Sequence, residues 1–324
     1  MRRTHSLTLL LAASAVAVAG CGDGGSTTGS DPGSLSVVAT TPVVADFVRN
    51  VGGDRVQVAQ ILKPGVDPHD YEPSPADLQV ISDADLVVEN GVGLEAWLAD
   101  TVSAAGFSGP VVDSSEGVTI REGGEHAEEE EGHAEEEGEE HAEGDPHIWH
   151  DPRNAELMVG NVLKGLVAAD EPGRATYEKN AADYVAKLDA LDKASEAKIA
   201  SVPAGQRKLV ANHDAFGYYC ARYGLTFVGA IIPSFDTSAE LSGRQLSDLV
   251  TKIKATGVKA VFSEASLPPR TAEAVAREAG VAVVGGEDAL YADGLGPEGS
   301  AGGTYLQAQQ HNTDTIVKAL GGRV

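Results

Sequence analysis

Eight short valine-rich runs alternate with longer segments of helical periodicity, and this alternation constrains the fold more than any other feature of the chain. The runs are 35–40 (LSVVAT), 56–62 (VQVAQIL), 85–90 (DLVVEN), 109–114 (GPVVDS), 208–213 (KLVANH), 226–232 (TFVGAII), 259–264 (KAVFSE) and 281–286 (VAVVGG). β-branched side chains are stiff at χ1 and pack well on a pleated surface, so such runs favour extended backbone. Between them, apolar residues recur at helical spacing over 43–51, 75–81, 94–105, 238–255 and 269–279. Strands separated by helices build parallel sheets from βαβ units. The expected class is therefore α/β.

The runs form two groups of four, separated by residues 152–201, which carry no strand signal. Within that stretch, 172–200 has no Gly or Pro after Gly173, and Tyr177, Tyr184, Leu188 and Leu191 recur at helical spacing. One helix of about 26 residues would span roughly 40 Å and act as a stiff spine. The expected architecture is two lobes, each a roughly four-stranded parallel sheet flanked by helices, joined by one long rigid helix. With 324 residues and 42% hydrophobic content, two ordinary cores are within reach.

The chain opens with two arginines, an apolar stretch over 7–19 and small residues before Cys21. This reads as a secretory signal too short to span a bilayer with ease. The small residues before Cys21 resemble a bacterial lipobox, which implies lipidation of Cys21 and a membrane anchor. Residues 22–34, rich in Gly and Ser, read as a flexible tether. The organisation expected is a signal peptide over 1–20, a tether over 21–34, an N-terminal lobe over 35–170, a linking helix over 171–201 and a C-terminal lobe over 202–324. With Cys21 taken by the anchor, Cys220 has no intramolecular partner, and thiolates cannot form a metal cluster. Cys220 reads as a small buried apolar residue.

The net charge is −25, and twelve glutamates, one aspartate and one arginine between 121 and 145 account for −12 of it. Such a chain repels nucleic acid and anionic membrane and attracts cations. The acidic stretch has almost no apolar residue to offset its ordering entropy, so disorder is expected over 121–145. It contains His126, His133 and His141.

Asp-Pro-His occurs twice, ending in His69 and His147. Proline fixes φ and removes an N–H, so the next side chain is presented from a stiff turn. The preceding aspartate can cap that turn or orient a ring nitrogen. Both histidines follow strand runs, and His213 ends one. In open α/β sheets ligands bind beyond the carboxyl ends of strands, so a cleft between lobes could gather all three.

The segments GVDPHDYEPSPADL, DPHIWHDPRNAELM, NHDAFGYYCARYGL and YADGLGPEGSAGGTY resemble the four signature regions of the zinc/manganese solute receptors of ABC importers. The resemblance covers the chain from about residue 35, apart from the length and detail of the acidic insert. It implies metal ligation by His69, His147 and His213, with a carboxylate from the fourth region, Asp293, completing the set; Glu287 and Asp288 lie near. Receptors resembling the manganese branch carry a carboxylate where this chain has His213. Three imidazoles and one carboxylate suit Zn²⁺, whereas manganese prefers more oxygen; copper and nickel also fit the donors. The implied protein is a monomeric, non-catalytic zinc receptor outside the membrane that docks on a permease driven by a cytoplasmic ATPase. A surface-adhesin role is compatible with this. The acidic run resembles the His-rich loop of zinc receptors and could gather zinc through His126, His133 and His141; a solvated loop with incidental histidines is the alternative.

The rival class is a secreted zinc hydrolase, but His-Glu-x-x-His is absent. Trp149 is expected as an apolar wall of the site. His150 is expected behind the ligands or exposed, and His311 on the surface. Asp70 and Asp214 are candidates to orient the adjacent histidines, or to form turns.

Overall fold

The computed structural model describes residues 34–122, 144–239 and 242–324. Cys21 lies outside the described residues, as do His126, His133 and His141. The first four strands are β1 (Leu35–Ala39), β2 (Val56–Gln60), β3 (Leu86–Glu89) and β4 (Val111–Asp113), hydrogen-bonded in the order β2-β1-β3-β4. Every pairing among them is parallel, with Val37 opposite both Val58 and Leu86. Parallel strands need crossovers, and α1 (Pro42–Gly52), α2 (Pro75–Ser82) and α3 (Leu98–Ala104) supply them.

Turn chemistry starts these helices where the sequence places it. Thr41 caps α1 by accepting from the Val44 N–H, with Pro42 at the first position. Ser74 and Asp77 form a reciprocal capping box ahead of α2, with Pro75 first. These side chains satisfy donors that the first turn leaves unpaired, and proline there loses no helical hydrogen bond.

Two antiparallel-packed helices fill the middle of the chain. Helix α4 (Pro152–Ala169) packs against α5 (Arg174–Ala200), which is the expected spine. The apolar face of α5 crosses from one core to another: Tyr177, Tyr184 and Leu188 lie in the core under the first sheet, and Ile199 lies in that of the second half. The last helix, α9 (Tyr305–Ala319), does the same, with Tyr305 and Ala308 in the first core and Ile316 and Val317 in the second. The spine is thus not the only helix shared between the halves.

The second half holds β5 (Lys208–His213), α6 (Gly217–Tyr223), β6 (Thr226–Ile232), α7 (Gly243–Thr256), β7 (Ala260–Phe262), α8 (Arg270–Ala279) and β8 (Ala282–Val284). Its four strands form two parallel pairs, β5-β6 and β7-β8, with β7 packed beside β5. One continuous four-stranded ladder does not form among them. The strands β7 and β8 are only three residues each, and the register of β5 on β6 shifts between Leu209 and Val210.

Candidate metal centre

Each centre residue reaches its place by a different local device. His69 sits in the connection between β2 and α2, where its N–H donates to Asp67 Oδ1 at 3.0 Å in an Asx turn. The Trp97 indole N–H holds the Pro68 carbonyl at 3.3 Å. His147 opens a 3₁₀ turn, Ile148–His150, directly after Pro146. His213 is the last residue of β5. Asp293 lies past β8, in a segment clamped by α9: the Tyr291 N–H donates to Asn312 Oδ1, and Asn312 Nδ2 donates back to the Tyr291 carbonyl, both at 2.8 Å.

The four side chains converge. His69, His147, His213 and Asp293 each offer one donor atom, and these atoms all lie within 4.8 Å of one another. His213 Nε2 is 3.1 Å from Asp293 Oδ1 and 3.2 Å from His147 Nε2, and His147 Nε2 is 3.4 Å from Asp293 Oδ1. His147 and His213 are fully buried and Asp293 nearly so; His69 alone is half-buried and marks the mouth. His69 Nε2 and both Asp293 oxygens are buried without a hydrogen-bond partner among the described residues. Buried polar atoms left so are rare, because an unmet group forfeits its hydration.

The backs of two rings explain what the fronts present. His147 Nδ1 lies 2.8 Å from Asp145 Oδ1, and His213 Nδ1 lies 2.6 Å from Glu264 Oε2. An ionised carboxylate only accepts, so each Nδ1 is the protonated nitrogen and each neutral ring turns an Nε2 lone pair inward. Two lone pairs and a carboxylate oxygen then meet within 3.4 Å, an arrangement that demands positive charge. Without a cation, protons supply it. Burial disfavours the charged form of His147, but Asp145 and Asp293 outweigh it and raise its pKa. Burial likewise opposes Asp293 and Glu264 at His213, whose pKa stands well above the usual value. Asp293 is held well below the usual carboxylate range: burial works against this, and His213 and His147 prevail. His69 differs, because burial lowers it to about 4 and it stays neutral.

The family described as ZnuA, zinc-uptake complex component A, periplasmic, matches residues 37–319. This chain belongs to the ZnuA family. It is 31% identical over 320 residues to the manganese ABC transporter substrate-binding lipoprotein PsaA of Streptococcus anginosus, covering 96% of this chain and 97% of that one. It is also 31% identical over 328 residues to the metal ABC transporter substrate-binding lipoprotein FimA of Streptococcus parasanguinis, with 99% of each covered. The structure of the periplasmic zinc-binding protein TroA from Treponema pallidum matches with a TM-score of 0.79 at 31% identity, over 90% of this chain and 100% of that one.

Around the centre of this ZnuA-family chain, the neighbouring side chains take up defined partners. Trp149 is a buried wall, its ring 5.4 Å from that of His147, but its indole N–H also donates to the Ala292 carbonyl at 3.1 Å. His150 is fully buried, not exposed; its Nε2 donates to the same carbonyl at 3.1 Å while Gln309 reaches its Nδ1. Residues beside His147 therefore fix the backbone next to Asp293. His311 is half-buried, bonded to the Ala289 carbonyl. Asp70 is exposed, and the ring nitrogen of His213 is met by Glu264, not by Asp214. Cys220 is buried, as expected. The ends of the acidic insert are pinned: Glu122 pairs with Gly144, and the Tyr218 hydroxyl accepts from the Arg121 N–H and donates to the Asp145 carbonyl.

Proposed function

We propose that this chain is an extracytoplasmic receptor that captures Zn²⁺ on His69, His147, His213 and Asp293 and delivers it to an ABC import permease driven by its ATPase. The observation that carries the reading is the convergence of three imidazoles and one carboxylate on one buried point. Zinc bound to nitrogen at 2.0–2.1 Å in a tetrahedron places its ligand atoms about 3.3 Å apart. The separations of 3.1, 3.2 and 3.4 Å among His147, His213 and Asp293 support that size, and the His69 donor lies within 4.8 Å of them. Three nitrogen donors favour zinc over manganese, which prefers oxygen.

A manganese reading draws on the relatives named for that metal. Elemental analysis of the chain purified without a histidine tag, alongside His213→Glu, tests the choice. One equivalent of zinc in the wild type is expected; predominant manganese overturns the assignment. A catalytic zinc needs an open position and a free base. Here Asp293 faces the centre as a fourth donor, and Asp145 and Glu264 are committed to the rings. This favours a receptor over a hydrolase.

Attachment through a lipidated Cys21 fits the relatives named as lipoproteins. The insert carrying His126, His133 and His141 springs from the backbone at Asp145, two residues before His147. A gathering role there predicts weak additional zinc sites, lost when 122–143 are deleted; a single bound zinc in calorimetry of the full chain rejects it.

A further inference from the structure

Glu264 stands two residues past β7, 51 residues from His213, yet it accepts three hydrogen bonds, two from that histidine and one from Asn212. Its Oε1 accepts the backbone N–H groups of Asn212 at 2.9 Å and His213 at 3.0 Å. Its Oε2 takes Nδ1 of the His213 ring at 2.6 Å. The side chain is fully enclosed, so water does not compete for these bonds. The two oxygens thus have separate duties, one for the strand and one for the ring.

Asp145 serves His147 with a different division. A single oxygen, Oδ1, accepts both the His147 N–H at 3.0 Å and the ring Nδ1 at 2.8 Å. Its other oxygen, Oδ2, is buried and has no partner among the described residues.

We propose that Glu264 is a positioning residue that fixes the tautomer of His213, keeping the proton on Nδ1 so that Nε2 points a lone pair at the centre. The inference rests on the zinc-receptor reading and adds a residue to it that touches no metal. The two carboxylates respond oppositely to amide substitution. In Glu264→Gln the amide oxygen must face the two backbone donors, since turning the NH₂ toward them strands both. The NH₂ group then faces Nδ1 and donates to it. Nδ1 becomes an acceptor, the ring proton moves to Nε2, and the lone pair the metal needs is gone. In Asp145→Asn the amide oxygen can occupy the Oδ1 position and still accept both hydrogens, while the NH₂ replaces the partnerless oxygen. The His147 tautomer survives.

The test is zinc titration of the full chain and both variants by calorimetry with a competing chelator, with melting of the metal-free proteins alongside. Loss of an outer hydrogen-bond partner typically costs 10–100-fold in metal affinity. Glu264→Gln is expected near the upper end, about 100-fold, and Asp145→Asn below about tenfold. Equal losses, or a Glu264→Gln affinity within about threefold of wild type, overturn the inference. Nitrogen NMR of the histidine rings in the zinc-loaded wild type needs no variant. It is expected to show a protonated Nδ1 and a metal-bound Nε2 at His213; the reverse assignment overturns the proposal even if Glu264→Gln fails to fold. A wild-type chain that binds no zinc sinks the receptor reading, an outcome distinct from zinc binding with equal losses in the two variants.

Discussion

His147 and His213 face the same point with their rings 5.1 Å apart, each backed by a carboxylate, but the support comes from different distances along the chain. Asp145 is two residues before His147, within one Asp-Pro-His turn. Glu264 is 51 residues beyond His213, in the segment that follows β7. The first histidine carries its orienting group with it; the second is oriented only after β7 has packed beside β5. One half of the centre is therefore built by turn chemistry and the other by tertiary packing.

Removing the rings themselves gives the largest effect. His147→Ala and His213→Ala should each lose more zinc affinity than the roughly 100-fold ascribed to outer partners, while the exposed Asp70→Ala should leave it unchanged. Chelator competition measures this, and a His213→Ala protein with near wild-type affinity removes the second half of the centre from the comparison.

The next effect is on pH. The raised pKa values of His147 and His213 mean that the metal-free centre retains protons that a bound cation must displace, whereas His69, lowered to about 4, has none to lose near neutrality. Affinity should fall as pH falls, by up to about tenfold per unit for each proton released. Calorimetry in buffers of different ionisation enthalpy should register that release, and His69→Ala should not diminish it near neutral pH. A buffer-independent heat contradicts the assignment.

A smaller effect probes a contact between the halves. The Thr237 hydroxyl, after β6, donates to Asp67 Oδ2 at 2.6 Å, and Asp67 in turn holds the His69 N–H. A hydrogen bond to a charged group contributes about 1.5–3 kcal/mol. Thr237→Val should speed zinc release in stopped-flow chelation by about tenfold; an unchanged rate would show that this link does not restrain His69.

The smallest effect concerns the wall. Trp149→Phe keeps most of the apolar contact and loses one bond to the Ala292 carbonyl, with His150 still holding it. The metal-free protein should lose about 1 kcal/mol, read as a melting shift of a few degrees.

The legible parts of this protein share a physical origin. β5 and β6 match the valine-rich runs at 208–213 and 226–232 end to end, because β-branched runs favour extended backbone wherever they occur. α5 follows from an uninterrupted helical stretch, and only its start differs, by a 3₁₀ turn at Glu171–Gly173. α4 carries no mark that separates it from the rest of 152–201 except its start, where Asp151 caps and Pro152 opens it. At the centre, Asp145 could be named from Asp-Pro-His. Glu264 could not, because nothing near His213 in the chain points to it. The burial of His150 was equally hidden, since its partners Ala292 and Gln309 lie 142 and 159 residues away.

Periodicity, capping and the proline-stiffened turns act over a few residues, and for that reason the sequence alone determined the α/β class, the spine and the presentation of His69 and His147. Tertiary structure decided how the later strands pair, which helices both halves share, and which carboxylate stands behind His213. Those outcomes require loops to close over tens of residues, and only packing selects among the closures a sequence permits.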